Sequence, residues 1–124
     1  MEGGPFAIFF VIPYVALSEI YFFKQWRYFI VLEHRVVGVL ALREEPRTLY
    51  ISSLAVSPQF RRVGIATYAL NHAALIARKL GKEALELAVL KKNTPAVRLY
   101  ERRGYRTEEE RRRSFILRKQ IKKP

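Results

Sequence analysis

Apolar and polar positions fall in blocks along the chain. Phe6–Ile12 is an unbroken apolar run rich in β-formers and reads as a buried strand. Pro13 suits the first position of a helix, and Leu17, Ile20, Tyr21 and Lys24 fall at helical spacings. A helix is therefore expected over Tyr14–Gln25, although its aromatic content leaves a strand open there. Arg27–Glu33 and Val36–Arg43 are strand-like runs about a short His34-Arg35 turn, which makes a hairpin. Gly38 inside the second run points to a bulge or a close backbone approach. Glu44-Glu45-Pro46-Arg47 is a turn. Thr48–Val56 is the third strand of the meander, with a Ser52-Ser53 pair out of keeping with its apolar neighbours.

The period then changes. Gly64–Leu80 is a helix with Ile65, Ala69, His72, Ile76 and Leu80 along an inward stripe and Gly81 as its stop. Ala84–Leu90 is a strand that should run parallel to the one before the helix. Thr94 as N-cap and Pro95 at the first position start a second helix that ends at Gly104. Tyr105–Glu109 and Ser114–Lys119 are two final strands about a charged turn, and Gln120–Pro124 is a tail. The order predicts an α+β fold: a mixed sheet, mostly antiparallel, with one parallel pair and helices on both faces.

The connection into the first clear helix is Val56-Ser57-Pro58-Gln59-Phe60-Arg61-Arg62-Val63-Gly64-Ile65-Ala66. Strand, tight basic turn, helix start is an arrangement that holds a phosphate. Backbone N–H groups at a helix N-terminus lack intrahelical partners, and the helix dipole favours an anion there. Gly64 and Ala66 keep the turn free of bulk, so a ligand can approach the backbone. Arg61 and Arg62 add positive charge. An ordinary βα turn with a solvated basic edge would use similar residues.

With 124 residues, half of them hydrophobic and 13% aromatic, the chain is expected to form one globular domain. It has no cysteine, which removes thiolate nucleophiles and disulfides and fits a cytoplasmic setting. The two histidines, His34 and His72, are too isolated for a metal cluster, so no metal is expected. His34 belongs to a solvated turn and His72 to a core or interface. The apolar run at the start is short and broken by Pro13, so no membrane span is expected. The net charge of +12 is uneven: Arg102–Pro124 holds ten Lys/Arg against three Glu, a net of +7. Such a balance suits a nucleotide cofactor, an acidic protein or a nucleic acid as partner, or a solvated basic face.

A second informative stretch is Asn93-Thr94-Pro95-Ala96-Val97-Arg98-Leu99-Tyr100, followed by Gly104-Tyr105. Together with the basic turn it resembles the GNAT superfamily of N-acetyltransferases. That family's acetyl-CoA loop reads Gln/Arg-x-x-Gly-x-Gly/Ala, matched by Arg61 to Ala66, after a Leu-Ala-Val lead-in matched by Leu54, Ala55 and Val56. Its later motif, Asn-x-x-Ala-x-x-Leu-Tyr with a downstream Gly-Phe/Tyr, is matched by Asn93, Ala96, Leu99, Tyr100, Gly104 and Tyr105. The resemblance is strong from about Tyr28 to Tyr105. It implies a single acetyltransferase domain over residues 1–124 with a shortened N-terminal region, and a splay between the parallel strands. It implies acetyl-CoA as co-substrate: pyrophosphate on the backbone of Arg62, Val63, Gly64, Ile65 and Ala66, and the pantetheine arm on Leu54 and Val56. Asn93 would hold that arm from the other wall, unless it serves only as a helix cap. Lys91, Lys92 and Arg98 lie near the mouth, either for the 3′-phosphate or solvated.

The chemistry that the resemblance implies is attack by an amine on the thioester. The N–H near Leu54–Ala55 would stabilise the oxyanion, and Tyr100 would protonate the departing thiolate. The base is not specified. Many relatives place a Glu on the strand before the bulge, where Tyr50-Ile51-Ser52-Ser53 has none. A branch that acetylates a ribosomal-protein alanine places a Glu five residues before the Asn, which here is Ala88. Glu86, on the same strand face, is the candidate, with Glu33 and a water chain on Ser52 or Ser53 as alternatives. The expected acceptor is a primary amine, a protein N-terminus or lysine ahead of a small molecule. Two other readings stand beside this one: a non-catalytic acetyl-CoA-binding regulator, and a basic nucleic-acid-associated protein. An aromatic-rich N-terminal region also suits a homodimer surface.

Overall fold

The computed structural model describes residues 7–14, 25–61 and 63–122. Its centre is a seven-stranded mixed sheet in the order β1-β2-β3-β4-β5-β7-β6. The strands are β1 (Ala7–Tyr14), β2 (Gln25–Leu32), β3 (Arg35–Glu44), β4 (Thr48–Val56), β5 (Ala84–Leu90), β6 (Arg106–Glu110) and β7 (Ser114–Gln120). Helix α1 (Ile65–Lys79) joins β4 to β5, and α2 (Thr94–Arg102) joins β5 to β6. Every strand pair is antiparallel except β4 with β5.

The beginning of the chain departs from expectation. Pro13 does not open a helix: it pairs with Trp26 inside β1. A proline there is tolerated because β1 is the edge strand, where one missing N–H need not break a ladder. Tyr14 and Gln25 also face each other across that pair. The rest of the expected helix, residues 15–24, lies outside the described residues. The hairpin turn is Glu33-His34 rather than His34-Arg35, with φ of 51° and 66°. Two successive left-handed residues give the turn type that matches strand twist, and this moves Arg35 into β3.

Three features of β3, β4 and β5 shape the site. Gly38 is forced by close approach: a Cβ there would stand 2.6 Å from the Ala55 carbonyl oxygen. It also sits at a register shift between β2 and β3, so both readings of this glycine hold. In β4 the pairing with β3 skips from Ile51 to Ser53, so Ser52 is the extra residue of a bulge. The parallel pairing of β4 with β5 runs only from Thr48/Ala84 to Ile51/Leu87, although both strands continue for several residues. The strands therefore splay beyond the bulge.

The opposite, closed end of that pair is pinned. Lys82 Nζ donates to the Glu45 carbonyl at 2.8 Å and pairs with Glu44 at 2.8 Å, while Glu83 N–H donates to the Arg47 carbonyl. The inward line of α1 also differs from the expected stripe. Ile65, Ala69, Leu70, Ala73 and Ala77 are buried, whereas His72 and Ile76 are only half-buried and Leu80 is exposed. The alanines at four-residue intervals let the helix backbone lie close to β4 and β5; the bulkier residues sit at its margins. They pack into a core with Leu40, Leu42, Leu49, Ile51, Leu85, Leu87 and Leu117.

Candidate active site

The start of α1 stands beside the splay. Gly64 adopts φ 87° and its carbonyl accepts the first helical bond, from Tyr68 N–H at 2.9 Å. The N–H groups of Ile65, Ala66 and Thr67 are thereby outside the helical ladder and point out of its N-terminus. Among the described residues, no atom lies within 4 Å of where a Cβ would stand at Gly64, so the glycine answers to its conformation and to the space before the helix. No acidic residue occupies the first turn. This is the geometry that a pyrophosphate fits. Arg61 folds back and donates its Nε–H to the Val56 carbonyl at 3.1 Å, closing the loop onto the end of β4. Arg62 lies outside the described residues. Val63 is half exposed.

The backbone of β4 alternates in the same frame. Ala55 turns its carbonyl toward Gly38 on β3. A strand residue's N–H and C=O share an edge, so the Ala55 backbone belongs to the sheet, and Leu54 and Val56 face the splay. Of the two N–H groups expected near the thioester, that of Ala55 therefore faces β3 and that of Leu54 faces the splay. Asn93, expected on the other wall of the cleft, stands at the start of α2. It, and not Thr94, is the N-cap of α2: its Oδ1 accepts from Ala96 N–H at 3.4 Å, with Thr94 and Pro95 in the first turn.

Tyr100 is the buried residue of α2. Burial pushes its phenol above the ordinary tyrosine value, so the group is a protonated donor at neutral pH. Its ring meets Tyr105 edge-on, centroids 5.6 Å apart. Tyr105 is 2% exposed, and its hydroxyl has no hydrogen-bond partner among the described residues. Burial, and then Tyr100, raise its pKa far above the usual range. An unpaired buried hydroxyl costs free energy, so Tyr105→Phe is expected to raise the unfolding free energy by about 1 kcal/mol. Urea unfolding checks this; a loss of stability would mean that the hydroxyl has a partner.

The face of β5 that carries Glu86, Ala88 and Leu90 opens progressively, from half-buried to exposed. Glu86 pairs with Tyr50 across β4 and with Arg118 across β7. Its Oε2 accepts from Arg118 Nη1 at 2.9 Å. The carboxylate is thus engaged by a guanidinium. Arg43 stacks over Tyr50, 4.6 Å from the ring centroid. Ser52 and Ser53 are exposed at the bulge, and Ala88 is exposed across from them. Glu33 is in the exposed hairpin turn with His34. His72 lies edge-on to Tyr28 at 5.3 Å, and burial, then Lys79, lower its pKa; it is a packed histidine, as expected. Arg118 and Tyr50, which flank Glu86, and Tyr105, which meets Tyr100, were not among the expected site residues. For Arg118, the signal available was its place on a strand of Ser114–Lys119, but only pairing reveals its partner.

The site thus sets an unobstructed helix N-terminus beside a splayed parallel pair in a mixed sheet. The chain belongs to the GNAT acetyltransferase family, whose family model matches residues 7–105. The mouse protein called cysteine-rich protein 2-binding protein is 47% identical over 60 residues, which is 48% of this chain but 7% of that protein. The chain thus matches only a small part of the length of that curated relative. Among solved structures, the PaiA N-acetyltransferase of Thermoplasma acidophilum in complex with coenzyme A superposes with a TM-score of 0.76 at 18% identity, covering 84% of this chain and 65% of that one. Arabidopsis thaliana Naa50 in complex with the bisubstrate analogue CoA-Ac-MVNAL gives 0.68 at 23% identity, covering 75% and 71%. Among the described residues, no helix is long and apolar enough to cross a membrane.

Proposed function

We propose that this chain acts as a single acetyltransferase domain that transfers the acetyl group of acetyl-CoA to a primary amine of a polypeptide by direct attack in a ternary complex. The observation that carries this reading is the end of β4–β5 pairing at Ile51/Leu87 beside the helix start that follows Gly64. Acetyl-CoA supplies the activated thioester. The N–H groups of Ile65 and Ala66 bind its pyrophosphate, with Val63 and Gly64 leading into the cradle. Leu54 and Val56 present backbone groups to the pantetheine arm in the manner of an added strand, with Arg61 holding the Val56 carbonyl in place. Leu54 N–H is oriented to stabilise an oxyanion. Tyr100 donates a proton or a hydrogen bond to the departing sulfur. Asn93 fixes the start of α2, and thereby the place of Tyr100.

Glu86 is the carboxylate we assign to amine deprotonation, acting through a water held at the exposed Ser52, with Arg118 setting its orientation. The peptide bisubstrate analogue bound by the Naa50 structure supports a polypeptide acceptor over a small molecule. The engagement of Glu86 by Arg118 favours a second reading, a module that binds acetyl-CoA without turnover. Acetyl-CoA at about a hundredfold excess over Kd is expected to raise Tm by roughly 5–10 °C. A peptide panel is then expected to release coenzyme A. Stabilisation without release on any acceptor would select the second reading. No stabilisation at all would remove both and leave the basic nucleic-acid-associated protein.

A further inference from the structure

We propose that the acceptor carries acidic side chains within a few residues of its reacting amine, and that Lys92, Arg112 and Arg113 read them. This rests on the acetyltransferase reading of the same cleft. Beyond the last β4–β5 pair, Ile51/Leu87, the face of β5 continues through Ala88 to Leu90, beside Ile116 and Ser114 of β7. At strand spacing, Leu90 stands about 10 Å beyond that pair. It is 50% exposed and floors a pocket lined also by Lys91, Lys92 and Arg113. An extended peptide with its amine at the splay would cross the apolar strip and bring its second to fourth residues onto these cations.

The turn between β6 and β7 sorts its charges. Lys91 is engaged by Glu110 at 2.6 Å and lies over the Phe115 ring; Arg111 is engaged by Glu109 at 2.8 Å. Lys92, Arg112 and Arg113 are exposed and make no ion pair among the described residues. Backbone bonds join the segments that carry them: Lys91 N–H donates to the Arg113 carbonyl, and Arg111 N–H to the Ser114 carbonyl, each at 2.9 Å. Three uncompensated cations at the end of an apolar track match a peptide with carboxylates a short distance from its amine. The phosphate cradle follows β4, whereas Lys92 follows β5 and Arg112 and Arg113 belong to the β6–β7 turn, on the far side of β5 from β4. That separation favours a peptide over the 3′-phosphate of coenzyme A.

The test uses fluorescence anisotropy on the full chain saturated with coenzyme A. The probes are three labelled peptides that differ only at positions two to four: Asp/Glu, Asn/Gln or Lys. At low salt the acidic peptide is expected to bind roughly tenfold more tightly than the amide peptide, a few-fold for each exposed pair. The preference should shrink as salt is added. It should vanish in the triple variant K92A/R112A/R113A, whose urea midpoint and KM for acetyl-CoA stay at the wild-type values. Equal binding of the three peptides overturns the proposal. So does a raised KM for acetyl-CoA in the triple variant that disappears with 3′-dephospho-acetyl-CoA, which would assign the cations to the cofactor. Displacement of the acidic peptide by a single-stranded oligonucleotide at equal concentration also overturns it. Coenzyme A release with the same peptides separates the two readings. Turnover without preference overturns the proposal and keeps the enzyme; a binding preference without turnover removes the enzyme, and with it the acceptor, and leaves only an acidic-peptide site.

Discussion

Replacing Tyr100 by Phe is expected to lower kcat by roughly a hundredfold to a thousandfold, the usual contribution of a positioned acid. The KM for acetyl-CoA should stay within about twofold, because the hydroxyl acts on the departing sulfur and not on the phosphate cradle. Tyr100 suits this part because burial favours its neutral form. The sign follows from that. A raised pKa keeps the acid protonated to higher pH, so the alkaline limb of kcat should begin above the ordinary tyrosine value of about 10. In Tyr100→Phe that limb disappears. The ring survives in the variant, and with it the edge-on contact with Tyr105. A kcat that falls together with the urea midpoint would point to packing instead. An unchanged kcat would remove Tyr100 from the chemistry.

Gly64→Ala is expected to raise KM for acetyl-CoA more than tenfold, and for two separable reasons. At φ 87° an L-residue with a Cβ is strained by about 1–2 kcal/mol. That cost reads out in urea as lost stability. The second reason is occupancy. The Cβ has room, since nothing among the described residues lies within 4 Å, but the methyl group stands where a phosphate would approach the N–H groups of Ile65 and Ala66. Gly64→Asn separates the two. Asparagine tolerates the left-handed conformation, so most of the stability should return while the high KM remains. If stability and KM recover together, strain alone explains the glycine, and the phosphate assignment at this turn fails.

Much of the cleft was legible because its parts are local. Thr48–Val56 and Ala84–Leu90 are runs of strand formers whose bounds the structure reproduces, and the helix between them forced their parallel pairing. Gly64, ahead of an alanine-rich helix, is a punctuation mark whose meaning lies within a few residues. Other errors were also local but turned on conformation rather than pattern. Glu33 and His34 both take left-handed φ, which a Glu-His pair does not announce. Asn93 displaced Thr94 as the cap because either side chain could accept a helix N–H, and the chain path settles which one does.

The sequence determined the elements, their order and the two motifs, because hydrophobic period, turn residues and helix starts are set by interactions over a few residues. It also determined the chemistry on offer: no thiol, a tyrosine on α2, a basic turn after β4. What only the tertiary structure decided were the pairings made across the sheet. Pro13 became a strand residue because β1 found an edge. The inner line of α1 ran through Ala69, Ala73 and Ala77 because close approach to the sheet favours small side chains over greasy ones. Glu86 met Arg118 because β7 inserted beside β5, some thirty residues later in the chain. Lys92 and Arg113 came together for the same reason. These contacts depend on register between distant segments, and no short window of the sequence carries that register.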